Sequence, residues 1–133
     1  MMRMMTSRPG RASLVAIAAQ GKRRAGFVVV RVEALGRDFG PLSRPSVAHL
    51  DAIAVRSNLT GRGIGRQLLE HAEKLAGEQG AVSMSLLTAE GNKPALRLFS
   101  GMGYQALAPF DDVYIEGQQG IAMFKSLLPF PSR

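Results

Sequence analysis

One segment limits the folds open to this chain. Residues 47–55 (VAHLDAIAV) form a mostly apolar run, followed by Arg56-Ser57-Asn58-Leu59-Thr60-Gly61-Arg62-Gly63-Ile64-Gly65-Arg66, with three glycines at alternate positions. Ile64, Leu68, Leu69, Ala72, Leu75 and Ala76 then recur at helical spacing, which predicts a helix from about residue 63 to 78, ending before Gly80. Residues 82–87 read as another strand. Strand, helix, strand is a βαβ unit, and such a crossover makes the two strands parallel.

The remaining elements follow from periodicity and breakers. Residues 14–19 and 26–33 read as a hairpin across the turn 21–24, and residues 34–46, with Gly36, Gly40, Pro41 and Pro45, as a loop. Residues 93–101 form a short helix with Pro94 in its first turn and Asn92 as its cap. Residues 104–107 and 120–127 supply the last strands. At 133 residues the chain holds one core, and the expectation is one α/β (α+β) domain over 12–128 with a mixed sheet and helices on its faces. Residues 1–11 (MMRMMTSRPGR) read as a flexible basic arm and 129–133 as a tail. The apolar stretch after the arm is too short for a signal peptide, and no run approaches the ~20 residues that span a bilayer, so a cytoplasmic protein without a membrane partner is expected.

With no cysteine, disulfides, thiolate metal sites and cysteine nucleophiles are excluded, and His49 and His71 are too few for a three-histidine zinc site, so no metal is expected. The net charge is +7, and arginine dominates the cations, which points to an anionic partner such as phosphate. A basic nucleic-acid binder is disfavoured because aromatic residues are only 6% of the chain, too few for a stacking array.

The glycine loop offers that phosphate a place. Glycines let the backbone come close to a ligand and aim amide N–H groups at it; the helix N-terminus adds partial positive charge, and Arg62 and Arg66 add full charges. Together they form a pyrophosphate cradle. A P-loop is excluded because no Lys-Ser/Thr pair follows, and the dinucleotide fingerprint fails at Arg66 or Leu68, depending on the starting glycine.

The loop resembles the acyl-CoA motif of the GNAT superfamily of N-acetyltransferases, [QR]-x-x-G-x-[GA], with Thr60, Gly63 and Gly65 at its defined positions. Asn92-Lys93-Pro94-Ala95-Leu96-Arg97-Leu98-Phe99-Ser100-Gly101-Met102-Gly103-Tyr104 resembles the family's N-x-x-A-x-x-L-[YF]-x-x-x-G-[FY] segment, and 120–127 resembles its last strand. The similarity runs over about residues 12–128. It implies a GNAT-like, mostly antiparallel sheet whose central parallel pair, 47–55 and 82–87, splays apart to admit acetyl-CoA. It also implies roles for the residues: the main chain of Ile53, Ala54 and Val55 would pair with the pantetheine and hold the thioester oxygen. Amides from Gly61 and Arg62 through Gly63, Ile64 and Gly65 to Arg66 would take the pyrophosphate, and Asn92 and Phe99 would flank the cofactor.

The acceptor would be a primary amine, which must lose its proton to attack. The segment Ala48-His49-Leu50-Asp51 resembles the A-H-L-H of arylalkylamine N-acetyltransferases. His49 matches the first histidine, and Asp51, replacing the second, would orient His49 or bind a cationic acceptor. Residues 49 and 51 should share a face at the strand period of two. His71, beside Glu70, Glu73 and Lys74, reads as part of a solvated helix face.

Several positions depart from the family pattern. Thr60 stands for Gln or Arg. Phe99 stands where many members carry a tyrosine that protonates the departing thiolate, leaving water, Tyr104 or Tyr114 to serve. Leu87 stands where ribosomal-protein N-terminal acetyltransferases carry a glutamate. The family's first strand and two helices are expected to be lacking. The acceptor side would then be completed by a second subunit, giving a homodimer, or by the 34–46 loop; alternatively the chain is a fragment or a mis-started frame. A CoA-binding module without turnover is the alternative function.

Overall fold

The structure is a computed structural model and describes residues 2–8, 11–20, 23–107, 114–115 and 118–128. Eleven elements follow one another among these residues. They are β1 (Met2–Arg8), β2 (Arg11–Gln20), β3 (Arg23–Ala34), β4 (Ser46–Val55), a single 3-10 turn (Ser57–Leu59), α1 (Ile64–Glu78), β5 (Ala81–Ala89), α2 (Lys93–Gly101), β6 (Gln105–Ala106), β7 (Tyr114–Ile115) and β8 (Gln118–Ser126). They fall into two compact units, Met1–Met84 with Ser126–Arg133, and Ser85–Lys125.

In the first unit β1 to β4 pair in sequence order, each antiparallel to the next. The βαβ reading holds. Ser46 N, at the head of β4, donates to the carbonyl of Gly80, just ahead of β5, at 3.1 Å, so the two strands start side by side and run parallel. At the same end Leu127 N donates to the Val82 carbonyl at 2.9 Å, which runs the last strand against β5. The sheet is therefore mixed and mostly antiparallel, as expected.

Residues Met2–Arg8 are a strand, with Met2 opposite Ala16 and Arg8 opposite Arg11, where a flexible arm was expected. Pairing along the exposed edge of β2 satisfies backbone donors and acceptors whatever the side chains. A strand therefore precedes the hairpin, while no helix precedes it among the described residues. The expected turn residues 21 and 22 and the tail 129–133 lie outside the described residues.

The core of the first unit forms where α1 lies over β2, β3 and β4. Val28, Val30 and Val32 of β3, Ala48 and Leu50 of β4, and Leu68, Leu69, Ala72 and Ala76 of α1 are all buried. Each large side chain contributes about 1.5–3 kcal/mol by leaving water. Gly26 sits where β3 and β4 press closest: a Cβ there would strike the Ala54 carbonyl oxygen and approach Leu68 Cδ1 at 3.2 Å. Gly26→Ala is expected to destabilise the chain by about 1–3 kcal/mol in urea unfolding, because two backbones cannot both yield. An unchanged midpoint would show that β3 and β4 lie farther apart.

In the second unit Phe99 and Tyr104 are buried, with rings 5.7 Å apart and inclined at 63°. Lys125 Nζ lies 5.5 Å from the Tyr104 ring centre, and β6 and β7 pair with β8. Glu90 N donates to the Gln119 carbonyl at 3.0 Å, placing the end of β5 beside the start of β8.

Candidate functional site

The site grows from the end of β4. Val30 faces Leu50 and Val29 faces Ala52, so Asp51 is the extra residue of a β-bulge. The bulge reverses the alternation: Ser46, Ala48 and Leu50 are buried ahead of it, whereas Ala52 and Ala54 are exposed after it and Ile53 and Val55 half-buried. A bulge bends its strand and interrupts the ladder, so residues 52–55, still paired with β3, run on at an altered angle.

Asp51 is engaged by Arg31. Both of its carboxylate oxygens accept from Arg31 Nε, at 3.0 and 2.9 Å. Arg31 lies directly across from His49, so the three side chains gather on one sheet face. The pair is 41% and 33% exposed, so its worth to stability is small. Its effect on His49 is larger in kind. Burial holds the imidazole below its ordinary value of 6.5, and the Arg31 guanidinium depresses it further; Asp51 pulls the other way and ranks last of the three. His49 therefore stays neutral into mildly acidic solution, the form in which it accepts a proton. Asp51 holds the Arg31 side chain in place beside His49.

The loop after β4 is anchored on its sheet side. Arg56 N donates to the Ala25 carbonyl at 2.7 Å, and Arg56 Nε to the Arg24 carbonyl at 3.0 Å. Thr60 Oγ1 donates to the Ser57 carbonyl at 3.1 Å, so the residue that departs from the family's Gln or Arg closes the 3-10 turn instead. Gly61 and Gly63 have φ of +80° and +77°, with open space beside each where a Cβ would stand. Only glycine takes that conformation without strain. Gly63 caps α1 with no side-chain hydrogen bond, and the first turn holds no acidic residue. The first i→i−4 bond is Gln67 N to the Gly63 carbonyl, so the amides of Ile64, Gly65 and Arg66 precede the helical ladder. Ile64 contributes only its amide, since its side chain is buried in the core. Arg62 is exposed, and Arg66 reaches one turn forward along α1 to Glu70 at 3.2 Å. Uncapped amides, a positive helix end and the Arg62 charge suit a pyrophosphate.

Asn92 and Phe99 belong to the second unit. Asn92 Oδ1 accepts from Ala95 N at 3.3 Å, the expected cap of α2. Asn92→Ala is expected to cost about 1 kcal/mol in unfolding free energy for that reason alone. Phe99 is 3% exposed and packs edge-on to Tyr104. The side chain of Tyr114 lies outside the described residues.

Sequence reasoning passed over Arg31 and Arg24. The signal for Arg31 was present, a lone arginine inside the β-branched run of β3, but its partner could be found only through the strand register. A cleft of about 460 Å³ opens beside the bulged strand, with Arg24, Phe27, Ala54 and Arg56 on its walls. Among the described residues no three metal-ligating side chains gather, and no helix is long and apolar enough to cross a membrane.

Comparison with known proteins agrees with this geometry. The profile of the acetyltransferase (GNAT) family matches residues 2–104. Among solved structures, the chain is similar to the NatC complex bound to Gag peptide and CoA, at 20% identity over 87% of this chain and 71% of that one, with a TM-score of 0.72. It is similar to a ribosomal-protein alanine N-acetyltransferase from Escherichia coli, at 22% identity, 91% and 70% coverage, and a TM-score of 0.66. It is also similar to nourseothricin acetyltransferase, at 27% identity, 90% and 67% coverage, and a TM-score of 0.68. A search of the curated proteins finds no significant match. The bulged strand, the uncapped helix behind a glycine loop and the matched profile converge: the chain belongs to the GNAT family of acetyltransferases.

Proposed function

We propose that the chain transfers an acetyl group from acetyl-CoA to a primary amine of a small molecule or protein, by direct attack in a ternary complex. The observation that carries this reading is the α1 N-terminus, uncapped and free of acidic residues, behind two glycines held at positive φ. That arrangement fits the pyrophosphate of CoA, with Arg62 supplying charge. The CoA in the structure of the NatC complex supports the same donor.

The chain's own residues would then divide the work. Amides from Gly61 to Arg66 bind the donor's phosphates. The main chain of Ile53, Ala54 and Val55, turned by the bulge at Asp51, binds the arm that carries the thioester and donates N–H to its carbonyl oxygen. His49, kept neutral by burial and Arg31, accepts the proton of the incoming amine. By the family resemblance Asn92 and Phe99 are further candidates for contact with the donor. Phe99 carries no proton to give, so the departing thiolate takes one from water or a tyrosine. In this reading the enzyme acts in the cytoplasm, away from membranes and nucleic acid, and a second subunit, giving a homodimer, or the 34–46 loop completes its acceptor side.

The buried phenylalanine favours one competing reading, a CoA-binding module that does not turn over. Incubation with acetyl-CoA and a panel of primary amines, read by mass spectrometry for an acetylated product, decides between them. Product formation above the uncatalysed rate supports the transferase. Saturable CoA binding with no product from any amine supports the module.

A further inference from the structure

The cleft beside β4 has a chemistry that the donor site does not use. Its walls include two arginines, Arg24 and Arg56, and no acidic residue. The Arg56 side chain is folded onto the main chain of Arg24 by its Nε bond, which brings both residues to the same corner. Neither makes an ion pair with a carboxylate among the described residues. Phe27, 42% exposed, presents its ring from β3, and Ala54, its direct partner in the β3–β4 register, lies beside it, with Val55 next along β4. The volume of about 460 Å³ suits one small organic molecule. Two guanidiniums over an aromatic and aliphatic floor select an apolar body that ends in an oxyanion, which planar N–H forks hold in pairs.

We propose that this cleft is the acceptor subsite, and that it takes an amine whose apolar, preferably aromatic body carries a carboxylate. The assignment rests on the acetyl-transfer reading, because it is that reading which puts the reacting carbonyl on the same Ala54 and Val55. The carboxylate is held at Arg24 and Arg56, Phe27 covers the ring, and the amine is left toward β4. Asp51, its charge taken by Arg31, does not compete for the arginines of the cleft. A phosphate of the donor is the other source of an oxyanion for the same arginines, and the test separates the two.

The probes are a product-like pair that differs only in charge, N-acetylphenylalanine and its carboxamide, titrated into the full chain with CoA present. The carboxylate is expected to bind about 5-fold tighter or more, and the advantage to shrink as salt is raised. Arg24→Gln, a surface change, is expected to bring the ratio close to unity. Equal binding of the two probes to the unaltered chain overturns the proposal. So does a loss of CoA affinity in Arg24→Gln as large as the loss of the carboxylate, since the oxyanion would then be the donor's. CoA is titrated first into the same samples. A folded chain that binds no CoA contradicts the acetyl-transfer reading, whereas CoA binding without a carboxylate preference removes only this subsite.

Discussion

Replacing Gly63 by valine is expected to lower the affinity for CoA about 10-fold to 100-fold while the chain stays folded. Gly63 sits at φ +77°, where a β-branched residue is strained by about 1–3 kcal/mol. Nothing stands where its Cβ would go, so the substitution meets no clash with the rest of the chain. Valine relieves the strain by turning the peptide, and the amides ahead of α1 then no longer converge on one point. Each 1.4 kcal/mol of lost interaction is tenfold in affinity. Gly77→Ala is the companion variant: it lies inside α1 in open space and should stabilise the helix by about 0.5–1 kcal/mol. Calorimetric titration of both variants, with circular dichroism to confirm the fold, checks the pair. Equal CoA affinity in Gly63→Val and the unaltered chain would mean that the glycine loop does not hold the donor.

His49→Ala should lower kcat about 100-fold or more, the usual worth of a positioned base, and should erase the acid limb of the pH profile. The sign of that limb follows from its surroundings. Burial and Arg31 both disfavour the imidazolium, so the limb of kcat/KM lies below the ordinary 6.5. From β3 the charged side chains on the same face are Arg31 and Glu33, from β4 Asp51, and the opening residues of β5, Ala81–Met84, carry none. Arg31→Gln removes a cation and releases Asp51, so the limb should move to higher pH. Asp51→Asn removes a charge that favours the imidazolium, so the limb should move lower. Opposite shifts in the two variants are what a base at His49 requires. A limb that stays in place in both would remove His49 from the chemistry. The same depression ties stability to pH. The unfolded chain binds the His49 proton more tightly, so its contribution is complete above about 6.5 and is lost as pH falls through the lower folded value.

The units of the fold that carry their own periodicity were legible in the sequence. The helical spacing from Ile64 to Ala76 and the capped segment after Asn92 became α1 and α2, the latter with the expected ends. The hairpin and the parallel pair also followed, each strand extending a few residues beyond its apolar stretch because backbone pairing continues past the side chains that start it. β1 was not legible. Its residues, MRMMTSR, show no apolar alternation, and the strand exists through its bonds to β2 rather than by its own preference. The bulge at Asp51 was hidden for a related reason. One extra residue in VAHLDAIAV leaves the composition unchanged and appears only in the register against β3. The pairing of Arg31 with Asp51 depends on that register, so the sequence could nominate Asp51 for the site but not find the arginine that holds it. The glycine loop was legible because positive φ leaves a residue type behind: glycine stands at 61 and 63, where the backbone requires it.

The central claim is that the loop from Gly61 to Arg66 and the bulged end of β4 hold acetyl-CoA. Titration of acetyl-CoA and of desulfo-CoA into the purified chain by calorimetry tests it most directly. The account predicts saturable micromolar binding of both, at one site per chain, because the phosphates and the pantetheine main-chain contacts do not involve the sulfur. A chain shown by circular dichroism to be folded, yet giving no binding heat with either ligand at any temperature tried, would contradict it.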